Sequence, residues 1–172
     1  MCSRYKSLEA KDIRPGDETI VYTVHGPQSM RWGFSMANKK LLINARSETA
    51  MTKNLFKNAI SNTVPTERRI LVLTSGYYEW KSDEENHQKQ KYHISLGQGS
   101  PMLLCGLEAD QPDGTRRHVI LTTAASGVCA DIHHRMPLIC PREEMRQWLY
   151  DTDFAVKKLK DTRVDDLTLA CS

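Results

Sequence analysis

Short runs of β-branched and aromatic residues, separated by turn signals, recur along most of the chain and constrain its fold more than any other feature. Such runs suit the pleated, half-buried surface of a β-sheet. They do not alternate regularly with helical segments, so the pattern predicts a curved, mainly antiparallel sheet and not a parallel α/β fold. The predicted strands cover residues 20–24, 30–34, 41–43, 70–74, 77–81, 91–96, 102–107 and 118–123.

Helical signals are fewer, and each is short. An amphipathic pattern predicts a helix over 52–60, and Pro141 opens a second one with acidic residues in its first turn. A third helix is predicted over 154–159, and the polar segment 82–90 is predicted to be a solvated loop. We therefore predict an α+β fold, built as a curved antiparallel sheet or open barrel with a few short helices.

The length and composition are those of one ordinary globular domain, which we expect to span residues 1–172. The chain has 40% apolar and 26% charged residues and a formal net charge of +3. It contains no apolar run as long as the roughly 18 residues of a membrane span, and no signal-peptide pattern at its N-terminus. We therefore expect a monomeric cytoplasmic protein with no membrane contact.

The cysteines form no group typical of a disulfide framework or a metal site. There are five of them, an odd number, and no CxxC motif. We therefore expect no disulfide framework, no metal and no cofactor. Cys105, Cys129 and Cys140 lie among apolar residues, as buried free thiols often do, whereas Cys2 alone has polar and cationic neighbours.

Cys2 directly follows the initiator methionine. Removal of Met1 makes Cys2 the terminal residue, with a thiol and a free α-amine on neighbouring carbons. Such a pair can bond twice to one carbonyl carbon, which neither group does alone. The simpler alternative is that Cys2 is a small apolar residue near a frayed chain end.

Four polar residues stand at or inside predicted strands, where a polar side chain needs a reason. Asn44 and Arg46 follow the strand at 41–43, Glu79 lies between two large aromatic residues, and His133 follows an apolar residue. Three of them have a structural alternative: Asn44 as a turn residue or cap, Glu79 on the solvent face, and His133 as a hydrogen-bonded structural histidine. Likewise, Arg135 fits a surface charge and Trp32 fits a core residue.

Taken together, six motifs in order resemble the SRAP domain (SOS response-associated peptidase), the HMCES/YedK-like family of abasic-site processing proteins. The first is fixed to the N-terminus, and the set extends over most of the chain. The motifs are Met1-Cys2-x-Arg4, Arg31-Trp32-Gly33, Ile43-Asn44-Ala45-Arg46-x-Glu48-Thr49-Ala50, Arg68-Arg69 with Gly76-Tyr77-Tyr78-Glu79-Trp80-Lys81, Leu121-Thr122-Thr123-Ala124-Ala125, and His133-x-Arg135-Met136-Pro137.

The resemblance implies a protein that forms a covalent thiazolidine crosslink between Cys2 and abasic sites in single-stranded DNA, in the cytoplasm or on the nucleoid during DNA damage. It also implies self-removal of Met1 and an abasic-site (AP) lyase activity. By the same resemblance, the catalytic residues are Cys2, Asn44, Glu79 and His133. The DNA-binding residues are Arg4, Trp32, Arg46, Thr122 and Arg135, in which the arginines suit bidentate phosphate binding.

The chain departs from the family pattern directly after Trp32-Gly33-Phe34. Members usually carry a proline and one or two tryptophans there, which wedge against the bases that flank the lesion, whereas this chain has Ser-Met-Ala-Asn at 35–38. Stacking on aromatic side chains contributes about 1–3 kcal/mol per base. We therefore expect a weaker grip on DNA, or a grip that uses other contacts.

Two other functions stay open on the sequence. The first is a cysteine peptidase that uses Cys2 with His133 as its base, for which the Met1–Cys2 bond of the chain itself is the clearest substrate. The second is a catalytically idle module that binds single-stranded DNA.

Overall fold

The structure is a computed structural model that describes residues 2–53, 56, 68–82, 88–160 and 167–171. These residues contain strands β1 to β15 and three short α-helices. The strands are β1 Tyr5–Lys6, β2 Asp12–Ile13, β3 Glu18–Thr23, β4 Gly26–Trp32, β5 Phe34–Ser35, β6 Leu41–Leu42, β7 Asn44–Arg46, β8 Arg69–Thr74, β9 Gly76–Ser82, β10 Lys89–Leu96, β11 Met102–Asp110, β12 Arg116–Ala124, β13 Arg135–Pro137, β14 Ile139–Cys140 and β15 Leu167–Cys171. The helices are α1 Ser47–Ala50, α2 Met145–Tyr150 and α3 Thr152–Lys158.

Five of the strands close into a barrel. β4 pairs with β3, β3 with β8, β8 with β11, and β11 with β12, all antiparallel. The ring closes where β12 runs parallel to β4, with His118 opposite Trp32. β7 also joins β12 in parallel, and β13 and β14 extend the sheet from β12 and β11. The predicted α+β fold with a mainly antiparallel, barrel-like sheet is confirmed, and the barrel is closed.

A second sheet of five antiparallel strands has the order β15-β10-β9-β1-β2. Side chains alternate between its two faces, as the pleat requires. Tyr5, Tyr77 and Ile94 come together on one face, because Tyr77 pairs with Tyr5 of β1 and with Ile94 of β10. All three are buried, and Cys2, three residues before the start of β1, belongs to the same hydrophobic cluster.

The alternation along the barrel strands produces two hydrophobic clusters. On β8, Ile70 and Val72 join the cluster that contains Cys2, while Leu71 joins the cluster that contains Trp148 of α2. One cluster therefore lies toward the five-stranded sheet and the other toward the C-terminal helices. Cys2 belongs to the first of these clusters.

A buried arginine fixes the C-terminal helices to the barrel. Arg69 of β8 is 1% exposed and donates from Nε to the carbonyl of Trp148 at 2.7 Å and from Nη2 to the carbonyl of Leu149 at 3.0 Å. These carbonyls lie in the last turn of α2, where the helix itself offers no partner. Asp151 then caps α3 by accepting a hydrogen bond from the main-chain N–H of Phe154 at 3.0 Å.

Most predicted strands are observed close to their predicted positions. The strand predicted over 30–34 divides into β4 and β5 at Gly33, whose φ of +107° interrupts the extended backbone. The loop predicted over 82–90 is wrong at both ends, because β9 ends at Ser82 and β10 begins at Lys89, and residues 83–87 lie outside the described residues. The helix predicted over 52–60 lies mostly outside the described residues.

The two C-terminal helices are confirmed. The helix predicted at Pro141 begins with the 3₁₀ turn Arg142–Glu144 and continues as α2. The helix predicted over 154–159 is α3, Thr152–Lys158. Within the described residues, no helix has the length and apolarity that a membrane crossing requires.

Candidate active site

The candidate site is built around Cys2, whose side chain is fully buried. Its polar sequence neighbours do not bring it to the surface, because its side chain packs into the cluster beneath the five-stranded sheet. Burial, reinforced by the negative charge of Glu79, raises the pKa of the Cys2 thiol to about 12. The thiol is therefore protonated at neutral pH, and any reaction of its sulfur needs a group that accepts the proton.

Asn44 holds the main chain of Cys2. Its Nδ2 donates to the carbonyl oxygen of Cys2 at 2.7 Å, in a buried contact. Asn44 is the first residue of β7, and it reaches this position because β7 pairs in parallel with β12, with Asn44 opposite Ile120. The alternative of an ordinary turn residue is therefore wrong.

Glu79 points into the same site from the middle of β9. Its exposed fraction is 5%, so the alternative that placed it on the solvent face is wrong. Its negative charge contributes, after burial, to the raised pKa values of the Cys2 and Cys129 thiols, and it favours protonation of His133. The carboxylate of Glu79 is thus the charged group that all three share.

His133 faces the site as a neutral imidazole. Its Nδ1 accepts a hydrogen bond from the main-chain N–H of Arg135 at 3.0 Å, so the proton of the neutral ring is on Nε2. Partial burial lowers the pKa of His133, the adjacent His134 lowers it further, and Glu79 opposes both. The rings of His133 and His134 stack at 4.3 Å, and His134 is the exposed member of the pair.

Both terminal nitrogens of the Arg135 guanidinium donate hydrogen bonds within the protein. Nη1 and Nη2 donate to the two carboxylate oxygens of Glu48 at 2.5 and 3.0 Å, and Nη2 also donates to the carbonyl of Thr122 at 2.6 Å. The ion pair holds the pKa of Glu48 below its ordinary value. Arg135 therefore links α1, β12 and β13 beside His133.

The other two predicted arginines lie at different places around the site. Arg46 ends β7 and is exposed. Arg4 is partly exposed on the outer side of the five-stranded sheet, 3.8 Å from a carboxylate oxygen of Asp12 and over the ring of Trp80 at 5.5 Å from its centroid. Both guanidinium groups are thus accessible from the surface.

Two of the predicted DNA-binding residues are buried. Trp32 has no exposed surface; its Nε1 donates to the carbonyl of Ile43 at 2.9 Å and its ring packs on Tyr5 at 5.1 Å. The predicted contact of Trp32 with DNA is therefore wrong, because the indole has no exposed surface that DNA could reach. Thr122 is 2% exposed, and its hydroxyl oxygen lies 3.3 Å from Nη2 of Arg135.

The structure adds residues that the sequence reasoning did not assign to the site. Tyr77 and Cys129 lie beside Glu79, with the Tyr77 hydroxyl 3.2 Å from the Cys129 sulfur. Glu48 belongs to the third motif of the sequence, but only the observed ion pair gives it a partner. Within the described residues, no group of three or more His, Cys, Asp or Glu side chains is arranged to hold a metal ion.

Residues 1–169 match the family model described as "SOS response associated peptidase (SRAP)". The abasic site processing protein YedK of Escherichia coli is 32% identical over 123 residues, which are 69% of this chain and 52% of that protein. The abasic site processing protein YoqW of Bacillus subtilis is 28% identical over 152 residues, 80% of this chain and 65% of that protein.

Solved structures share the fold. A crystal structure of a protein from Bordetella bronchiseptica superposes with a TM-score of 0.80 at 21% identity and covers 99% of both chains. The chain spans about half to two thirds of the length of the curated relatives it matches, since it covers 52% of YedK and 65% of YoqW.

Proposed function

Because the chain belongs to the SOS response associated peptidase (SRAP) family, we propose that it processes abasic sites in single-stranded DNA through a thiazolidine crosslink at Cys2. Relatives that carry the name abasic site processing protein support this function. The observation that carries it is the hydrogen bond from Asn44 to the Cys2 carbonyl, 2.7 Å long, beside the buried Glu79. This bond fixes the main chain of the residue whose amine and thiol must both reach one carbon.

The reaction begins once hydrolysis has removed Met1. The α-amine of Cys2 then adds to the aldehyde carbon of the ring-opened deoxyribose and expels one water, which gives an imine. The thiol sulfur adds to the same carbon while its proton moves to the nitrogen, and a five-membered ring closes. The net change is the loss of one water, and two bonds to a single carbon resist hydrolysis better than an imine does.

The side chains around Cys2 suit the proton transfers in these steps. Glu79 accepts the thiol proton, which the raised pKa of Cys2 would otherwise retain. His133 carries its ring proton on Nε2 and donates a hydrogen bond to the departing hydroxyl group of the sugar, which leaves as water together with a proton from the amine nitrogen. In the imine, removal of the proton from the carbon beside it expels the 3′ phosphate, which is the AP-lyase route.

We assign the hydrolysis of the Met1–Cys2 bond, which is the peptidase step, to Cys2, Glu79 and His133 as well. The buried, protonated thiol of Cys2 argues against a general cysteine peptidase, whose nucleophile is a thiolate. The partner of the proposed reaction is abasic single-stranded DNA, with Arg46 and Arg4 at the surface as phosphate contacts. Arg135, predicted as a third phosphate contact, is partly exposed, and its guanidinium already binds Glu48 and the Thr122 carbonyl.

A crosslinking assay with matched cysteine variants tests the proposal. Purified protein is mixed with a single-stranded oligonucleotide that carries one abasic site and is run on a denaturing gel. We expect a shifted band for the wild type and for Cys140→Ser, which alters a buried thiol in the other hydrophobic cluster, and no stable band for Cys2→Ala. Intact mass should equal the chain without Met1 plus the oligonucleotide minus one water.

Three results would contradict this function. A band that survives Cys2→Ala would place the linkage elsewhere. A crosslinked product that still contains Met1 would exclude the thiazolidine. Cleavage of unrelated peptides without any crosslink would support a general peptidase in its place.

A further inference from the structure

The outer face of β1, β9 and β10 combines cations with aromatic rings. It consists of Arg4, Lys6, Tyr78, Trp80, Lys91 and His93, which we call the basic–aromatic face. Register places them together, because Lys91 lies opposite Trp80 and His93 opposite Tyr78. The intervening residues Tyr77, Glu79 and Ile94 are buried on the inner face, so these six side chains point outward.

Direct contacts join the cations to the rings. The Arg4 guanidinium lies over Trp80 at 5.5 Å, and the Lys91 ammonium lies over Tyr78 at 3.8 Å from the ring centroid. Tyr78 also packs against His93 at 5.1 Å. Tyr78 is largely covered by these neighbours, whereas Trp80 is partly exposed and is the ring that a ligand can reach.

The face lies next to the reactive cysteine. The main-chain carbonyl oxygen of Arg4 accepts a hydrogen bond from the main-chain N–H of Tyr78 at 2.9 Å. The same oxygen lies 3.9 Å from the sulfur of Cys2. Glu79, between Tyr78 and Trp80 on the same strand, points to the opposite side into the site. The face and the site around Cys2 are thus the two sides of the same strands, and they meet at Arg4, whose main chain lies beside the cysteine and whose side chain belongs to the face.

We propose that the basic–aromatic face binds the unpaired DNA strand that leads away from Cys2, with a base stacked on Trp80 and phosphates on Arg4, Lys6 and Lys91. This inference rests on the proposed function and supplies the aromatic contact that the segment 35–38 lacks. The charge of the face favours a polyanion, since among the described residues its three cations stand against one carboxylate, Asp12, which pairs with Arg4. The exposed ring favours a strand with unpaired bases, because a duplex has its bases already stacked.

Binding of undamaged DNA tests the face separately from the crosslink. A fluorescently labelled oligothymidylate is titrated with the full chain, and Kd is measured by anisotropy at several salt concentrations. Trp80→Leu keeps an apolar side chain but removes the stacking surface, and we expect Kd to rise roughly 5- to 150-fold. Tyr150→Leu is the matched control, because Tyr150 is an exposed aromatic residue on α2 (53% exposed), and its Kd should be that of the wild type.

The charge is tested through salt dependence. Lys91→Gln and Lys6→Gln should each reduce the slope of log K against log salt by about 0.7, the value for one phosphate contact on a single strand. These two surface substitutions still test DNA binding by the face if Trp80→Leu destabilises the fold. Polyglutamate should compete poorly with the oligonucleotide, because it offers charge without bases.

The outcomes separate this inference from the proposed function. If Cys2-dependent crosslinking occurs but neither Trp80→Leu nor the lysine variants change Kd or its salt slope, the face is not the DNA path and the proposed function stands. If the wild type forms no crosslink but Trp80→Leu still weakens DNA binding, the face stands and the proposed chemistry fails. Equal competition by polyglutamate would overturn the stacking contact.

Discussion

Acid should unfold this protein partly through one histidine in its core. His118 of β12 has no exposed surface, and neither of its ring nitrogens has a hydrogen-bond partner among the described residues. Burial lowers the pKa of His118 from 6.5 to about 3. The unfolded chain therefore binds this proton between pH 6.5 and about 3 while the folded chain does not, and the free energy of unfolding falls as the pH decreases through that window.

The size of the effect follows from the two pKa values of His118. At about pH 4 the difference lowers the free energy of unfolding by about 3 kcal/mol, and it approaches about 5 kcal/mol at pH values below the folded-state pKa. Above pH 6.5 the imidazole is neutral in both states and contributes nothing to the pH dependence. A loss of this size is a substantial part of the stability of an ordinary domain.

Urea unfolding, followed by tryptophan fluorescence at pH 7 and pH 4, measures how much the free energy of unfolding falls between the two pH values. His118→Phe keeps a ring in the core but cannot bind a proton, so we expect it to lose about 3 kcal/mol less than the wild type between the two pH values. The matched control is His25→Phe, because His25 is exposed, and this variant should follow the wild type. Equal pH dependence in the wild type and His118→Phe would refute the reasoning.

Three further substitutions test other parts of the structure. Asn44→Ala leaves the buried carbonyl of Cys2 unpaired; it should lower stability by about 1–3 kcal/mol and slow crosslinking further than the folded fraction explains. Trp32→Phe removes a buried hydrogen bond and should cost a similar amount, with DNA affinity per folded molecule unchanged. Gly76→Ala should destabilise by at least about 1–3 kcal/mol, because φ is +153° and the added Cβ would lie 2.5 Å from the carbonyl of Ile94.

Each of these predictions has a simple check. Chemical unfolding gives the change in stability, gel quantification of the crosslink over time gives the rate, and anisotropy gives the affinity. An Asn44→Ala protein that crosslinks at the wild-type rate would remove Asn44 from the site. If fully folded Trp32→Phe binds DNA more weakly than the wild type, Trp32 contacts DNA despite its burial in this structure.

The strands were predictable because their signal is local. Runs such as 70–74 and 118–123 carry β-branched residues bounded by turns, and β8 and β12 are found there. The two-residue strands β1 and β2 have no such signal. They exist because β9 offers Tyr5 and Lys6 a hydrogen-bonding edge, a long-range cause that no window of sequence contains.

The candidate site was predictable in its residues but not in their surroundings. Motif order brought out Asn44, Glu79 and His133, yet burial of Glu79 depends on which face of β9 is inside. Trp32 was predicted to bind DNA but is buried. An aromatic residue at the end of a strand has the same sequence pattern on an exposed face as in a core. The ion pair between Glu48 and Arg135 joins residues far apart in the chain and has no local signature.

The two faces of β9 restrict how a protein of this kind can diverge. Neighbouring residues serve opposite sides, so loss or gain of one residue within the strand would turn Glu79 to solvent and direct an aromatic ring at the thiol. We therefore expect relatives of this chain to vary within 76–82 by substitution and not by insertion or deletion. Replacement of Trp80 changes only the outer face of the strand and leaves Glu79 directed at the thiol.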